Sequence, residues 1–217
     1  MQRSSIVAIL TLGLAYGVFQ SCSADSYGSY GDATTAASLT GEALYKDILQ
    51  KGAAAANRLN DTANAHAGVP QGNSSGFFLT AILRVSNSFA ALNNLENGVN
   101  ANNTGAQCLA LNTKIGADIA LILANADSAI ITTNSPDEQH YQDLLQTWGH
   151  YLALFLKIGT EQAATPNPGK YLGLLIKGTA DIVAIQDVIA RNDTVTCLAV
   201  GKELSQDFQK VIGSLNE

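Results

Sequence analysis

Apolar residues recur every three to four positions along most of the chain, which is the spacing of one face of an α-helix. Six segments carry this spacing, and no stretch alternates with the two-residue period of a β-strand. The clearest apolar stripe is Phe78, Ile82, Val85, Phe89 and Leu92. The sequence therefore predicts an all-α protein, an antiparallel bundle of five to seven helices.

Turn-forming residues separate the helical segments. The clearest breaks are Gly68–Gly72, Asn97-Gly98 and Thr165–Gly169. The strongest helix start is Ser135-Pro136-Asp137-Glu138, which has Ser at the N-cap, Pro at the first helical position and Glu at the third. This spacing predicts a capping box, in which Ser135 and Glu138 satisfy backbone amides of their own helix.

The first residues have the pattern of an export signal. Arg3 precedes an uncharged apolar run from Ile6 to Phe19, which as a helix spans roughly 21 Å and is too short for a bilayer core of about 30 Å. We therefore predict a signal peptide over 1–24, a disordered Tyr/Gly/Ala/Thr leader over 25–38, and one helical domain over 39–217. The alternative is a bacterial lipoprotein anchored to the membrane through Cys22.

Composition excludes several function classes. Hydrophobic residues make up 47% of the chain, which suits a packed core, and 18 acidic residues outnumber 12 basic ones. The resulting net charge of −6 and the lack of a Lys/Arg cluster argue against nucleic-acid binding. The mature chain has no further apolar stretch long enough for a transmembrane segment.

Cleavage after Ala24 would leave two cysteines, Cys108 and Cys197. In an oxidising compartment we expect them to form a disulfide, which would bring the starts of the third and sixth helices together. The alternative is a pair of buried free thiols.

Four Asn-x-Ser/Thr sequons predict a secreted glycoprotein, with Asn73 and Asn102 as the most accessible acceptors. The four acceptor residues are Asn60, Asn73, Asn102 and Asn192.

The sequence shows no arrangement typical of an enzyme. Residues 72–76 match G-x-S-x-G, but they lack the preceding strand that a nucleophile elbow needs. The three histidines, His66, His140 and His150, have no metal-ligand spacing. We therefore predict no catalytic residues, no metal and no cofactor.

Four aromatic residues stand at helical spacing in the fourth segment: Tyr141, Trp148, Tyr151 and Phe155. Core packing explains them, but they could also line an apolar pocket between helices. Our hypothesis is a secreted, non-enzymatic helical protein that binds an apolar small molecule, or an extracellular protein or surface. The alternatives are a structural or coat protein of an extracellular layer and the lipid-anchored surface protein.

Overall fold

The structure, a computed structural model, describes residues 40–70, 76–98, 104–126 and 137–215. These ranges contain six helices and no strand, which confirms the predicted all-α bundle. The predicted signal peptide and leader, and the acceptors Asn73 and Asn102, lie outside the described residues. The helices are α1 (Glu42–Ala65), α2 (Phe77–Glu96), α3 (Thr104–Ala126), α4 (Glu138–Glu161), α5 (Lys170–Ala190) and α6 (Cys197–Leu215).

Helices α1 and α4 pack against each other at the centre of the bundle. Two further pairs flank them, α2 with α3 and α5 with α6. Both α2 and α5 touch both central helices, whereas α3 packs on α4 and α6 packs on α1. The two long helices therefore provide the surface on which the flanking pairs assemble.

One continuous apolar core fills the space between the helices. The predicted stripe of α2 points into it, and every member of that stripe is buried. Trp148 of α4 is 1% exposed and Leu175 of α5 is fully buried. Burial of these apolar stripes is the main stabilising contribution to the fold, because each large aliphatic or aromatic side chain contributes about 1.5–3 kcal/mol.

The predicted capping box at the start of α4 is wrong. Ser135 lies outside the described residues, and Asp137 at the N-cap makes no side-chain capping bond. Glu138 is the first residue of α4, and its carboxylate reaches across the bundle to the start of α2. There it accepts hydrogen bonds from the backbone amides of Phe78 at 2.7 Å and Leu79 at 3.0 Å. Glu138 is 2% exposed, and these amides and the positive end of the α2 dipole stabilise its charge.

The start of α5 is capped in the same way. Glu42, the first residue of α1, accepts hydrogen bonds from the amides of Tyr171 at 2.7 Å and Leu172 at 3.1 Å. A glycine precedes each capped helix, Gly76 before α2 and Gly169 before α5. A Cβ atom at either glycine would overlap the capping carboxylate. Glycine at both places therefore lets the carboxylate approach the helix start, and any other residue would displace it.

Cys108 of α3 and Cys197 of α6 form a disulfide with a Cα–Cα distance of 6.1 Å. The predicted pairing of these cysteines is confirmed. Both are fully buried, and the amide nitrogen Nδ2 of Asn112 lies 3.5 Å and 3.6 Å from the two sulfurs. The bridge fixes α3 against α6, so it joins one helix of each flanking pair.

Within the described ranges, none of the six helices combines the length and hydropathy of a membrane-spanning segment.

Candidate functional site

An apolar cavity lies between α1, α4 and α6. The wall from α4 is built at helical spacing by Trp148, Tyr151 and Phe155, so three of the four predicted pocket residues line it. Opposite them α1 presents the small residues Gly52 and Ala53. The cavity volume is about 20 Å³, room for about one water molecule. The other lining residues are Ile48, Leu49, Leu152, Phe208 and Val211.

The aromatic rings at one end of the cavity depend on a glycine of α5. The rings of Phe155 and Phe208 lie 5.8 Å apart between centroids. A Cβ atom at Gly178 would come within 2.7 Å of Phe155 and 3.2 Å of Phe208. Gly178 therefore makes room for the two rings, and its occurrence within a helix is explained by close packing.

The side chain of Trp148, which lines this cavity, carries one polar group. Its indole nitrogen Nε1 is buried and has no hydrogen-bond partner in the structure. A buried donor without an acceptor costs about 1–3 kcal/mol. The same side chain also lines a second cavity of about 10 Å³, whose wall includes Leu59, Ile82 and Ile122.

The fourth predicted pocket residue, Tyr141, does not line the cavity. Its hydroxyl lies 3.2 Å from Nε2 of His66, and Nδ1 of the same ring lies 2.9 Å from the carbonyl oxygen of Thr62. The imidazole therefore donates through Nδ1 and accepts from the tyrosine hydroxyl. Burial raises the pKa of Tyr141 above its ordinary value. The pair fastens the end of α1 to the start of α4.

Two of the four predicted glycosylation acceptors lie in the described residues. Asn60 is 4% exposed within α1, so the folded chain leaves no room for a glycan there. Asn192 is exposed in the α5–α6 turn and has a left-handed backbone conformation, with φ of 54°. Its neighbour Asp193 accepts hydrogen bonds from the amides of Val195 and Thr196. The accessible sequon therefore stands in an ordered turn.

A charged cluster joins α5 to α6. Carboxylate oxygens of Asp181, Glu203 and Asp207 lie within 4.8 Å of one another. The amino group of Lys177 lies among them. Its Nζ is 3.1 Å, 3.5 Å and 2.7 Å from these three carboxylates. The hydrogen bond to Asp207 is the largest of the effects that raise the pKa of Lys177 above its ordinary range. The lysine charge thus balances part of the acidic cluster, which the sequence analysis did not detect.

No histidine lines the cavity or belongs to the acidic cluster of the described residues. His140 is exposed, and His150 is half-buried with its ring 5.2 Å from that of Tyr151. Burial lowers the pKa of His150 below its ordinary value. Among the described residues, the one acidic or histidine group with metal-like spacing contains no histidine.

The α4 wall of the cavity could be predicted from the sequence, whereas the walls from α1 and α6 could not. Gly52 stands beside a run of four alanines, which indicated helix propensity alone. Phe208 belongs to an ordinary apolar stripe. Only the crossing of the helices brings these residues opposite Trp148.

The chain matches no protein-family model, no curated protein and no solved structure.

Proposed function

We propose that the protein binds one small apolar ligand in the cavity between α1, α4 and α6, and that the ligand carries a hydrogen-bond acceptor. The observation that carries this proposal is that Trp148, whose buried indole N–H has no hydrogen-bond partner in the structure, lines this apolar cavity with its side chain. An apolar pocket with one or two polar groups is the usual composition of a small-molecule site. A fatty acid or a similar single-chain lipid has the matching chemistry.

Binding requires the cavity to widen, because a volume of about 20 Å³ does not hold an alkyl chain. Gly52 and Ala53 offer little side-chain bulk on the α1 side. Tyr151 is only partly buried, so its ring can rotate toward the solvent while the fully buried side chains of the core stay in place. Rotation of an aromatic ring at the protein surface is fast compared with ligand exchange. The ligand would then separate α1 from α4 along the small-residue face of α1.

The proposal places the protein outside the cell. A buried disulfide supports an oxidising compartment, and the apolar run after Arg3 supports export. In that setting a non-enzymatic helical bundle would act as a carrier or a receptor for an apolar molecule. The exposed sequon at Asn192 is compatible with the same compartment.

Trp148 is the only tryptophan, so its fluorescence reports on the site directly. The test titrates the protein with stearate that carries a nitroxide quencher on its alkyl chain. We expect saturable quenching at one equivalent, which unlabelled stearate reverses. No quenching up to the solubility limit of the probe would contradict the proposal.

A matched pair of variants locates the binding. Gly52→Leu fills the cavity and should abolish saturable quenching, with folding checked by circular dichroism. Gly213→Leu makes the same change on exposed α6 surface, where no atom lies within 4 Å of an added Cβ, and should bind as the wild type does. Equal quenching in both variants would exclude this cavity. If Gly52→Leu does not fold, Ala53→Val, which reduces the same cavity less drastically, takes its place.

A further inference from the structure

The helices before and after residues 127–136 correspond one to one. Both α1 and α4 have 24 residues, and their starts differ by 138 − 42 = 96 positions. The starts of α2 and α5 differ by 170 − 77 = 93 positions. The pattern Glu-x-x-Tyr-x-Asp-x-Leu-Gln occurs at 42–50 and again at 138–146. The same order of three helices therefore occurs twice.

Burial follows the same correspondence. Each of the six buried residues of α6 lies 89 positions after a buried residue of α3. The first such pair is Cys108 and Cys197, since 197 − 108 = 89. The other pairs are Asn112/Gly201, Ile115/Leu204, Asp118/Asp207, Ile119/Phe208 and Ile122/Val211. Agreement at all six buried positions of α6 means that α3 and α6 turn the same face to the core.

The specific contacts also occur in equivalent pairs. Arg84 forms a salt bridge with Asp118 at 2.6 Å, and Lys177 forms one with Asp207 at 2.7 Å. Lys177 lies 93 positions after Arg84, and Asp207 lies 89 positions after Asp118. The two capping glutamates are 96 positions apart, and the amides that they cap are 93 positions apart. Each glutamate therefore caps a helix of the other half. The disulfide joins two cysteines that are themselves equivalent.

We infer that residues 42–126 and 138–215 are copies of one three-helix unit, and that each copy is the binding partner of the other. Two equivalent residues contact each other only near a twofold axis, and reciprocal contacts are the property of a twofold interface. The Cys108–Cys197 bond marks that axis, and the Glu42 and Glu138 caps are the reciprocal contacts. The chain thus has the architecture of a symmetric dimer joined into one polypeptide. This inference does not depend on the proposed ligand.

Neither unit is complete without the other. The first amides of α2 have their acceptor on α4, and those of α5 have theirs on α1. A change in one unit should therefore be felt in the other. This crossed effect separates a reciprocal dimer from two domains that fold independently.

The first test measures amide hydrogen exchange in the full chain. Glu138→Ala should raise exchange at least tenfold at Phe78 and Leu79, in the unit that is not mutated. Glu42→Ala should do the same at Tyr171 and Leu172. The control Glu161→Ala, at the exposed end of α4, should change neither pair. Increases confined to the mutated unit would overturn the inference.

A second test keeps the wild-type core and so does not depend on the stability of a variant. A protease site introduced between residues 126 and 137 of the full chain is cleaved after folding, and the disulfide is then reduced. Native mass spectrometry should find both fragments in one particle. Separate fragments would show that the units are not each other's partners.

Discussion

Removing the disulfide should cost a large part of the stability of the protein. The bridge joins positions 89 residues apart, and chain-entropy theory assigns a loop of this length about 4–5 kcal/mol at 25 °C. Relaxation of the native state reduces such values, so we expect a loss of about 3–4 kcal/mol for the Cys108→Ala/Cys197→Ala variant. That is a large fraction of the 5–15 kcal/mol typical of a domain.

The assay is equilibrium urea unfolding at 25 °C, followed by far-ultraviolet circular dichroism and by Trp148 fluorescence. Each single variant removes the same cross-link, so the Cys108→Ala and Cys197→Ala proteins should each lose nearly as much as the double variant. Such non-additivity is the signature of one shared interaction. A double variant that loses less than about 1 kcal/mol would refute the reasoning, because the bridge would then not restrict the unfolded chain.

Three further substitutions test individual contacts, each by urea unfolding against the wild type. Glu138→Gln should destabilise by about 1.5–3 kcal/mol, because it removes the charge from two buried hydrogen bonds; an unchanged midpoint would contradict the capping role. Gly178→Ala should cost about 1–3 kcal/mol, since its methyl group would meet the Phe155 ring; a stabilised variant would count against that packing. Burial raises the pKa of Glu96, so the stability that this group contributes is fully present below its unfolded-state pKa of about 4.3 and is lost as pH rises through its folded-state pKa. Glu96→Gln should match the wild type near pH 4 and exceed it at pH 7, and parallel pH profiles would show that Glu96 does not contribute.

The helices could be predicted from the sequence because the apolar period is a local property. Every residue of the Phe78–Leu92 stripe is buried, as a helix with one apolar face requires. The disulfide could be predicted because the expected cleavage after Ala24 leaves two cysteines. Neither inference needs knowledge of how the helices cross.

The capping assignment failed for the opposite reason. Glu138 stands at the right spacing from Ser135 for a local box, but its carboxylate binds amides 59 and 60 positions away. Sequence spacing contains no information about such a contact. The cavity could be predicted only in part for the same reason. The aromatic residues around Trp148 stand out in the sequence, but nothing in the sequence indicates that Gly52 lies in the same cavity.

The internal repeat is visible in the sequence but only weakly. The offset between equivalent residues falls from 96 to 93 between the first and second helices of the unit, because the connection after α1 is longer than the one after α4. It falls to 89 in the third helix, because α3 begins four residues before Cys108, the equivalent of the first residue of α6. No fixed period therefore aligns the two halves. At equivalent positions the residue type often differs while the contact is the same, as with Arg84 and Lys177, which each pair with an aspartate. The equivalence of the two halves therefore becomes clear once burial and hydrogen bonding are compared.

The most direct test of the proposed function is the mass of the protein as its native source makes it. The chain is purified without detergent, and its intact mass is measured under native and then denaturing conditions. We predict a native particle heavier than the polypeptide by one lipid-sized molecule, which denaturation releases. A native mass equal to that of the bare polypeptide, with its glycans included, would contradict ligand binding in the Trp148 cavity.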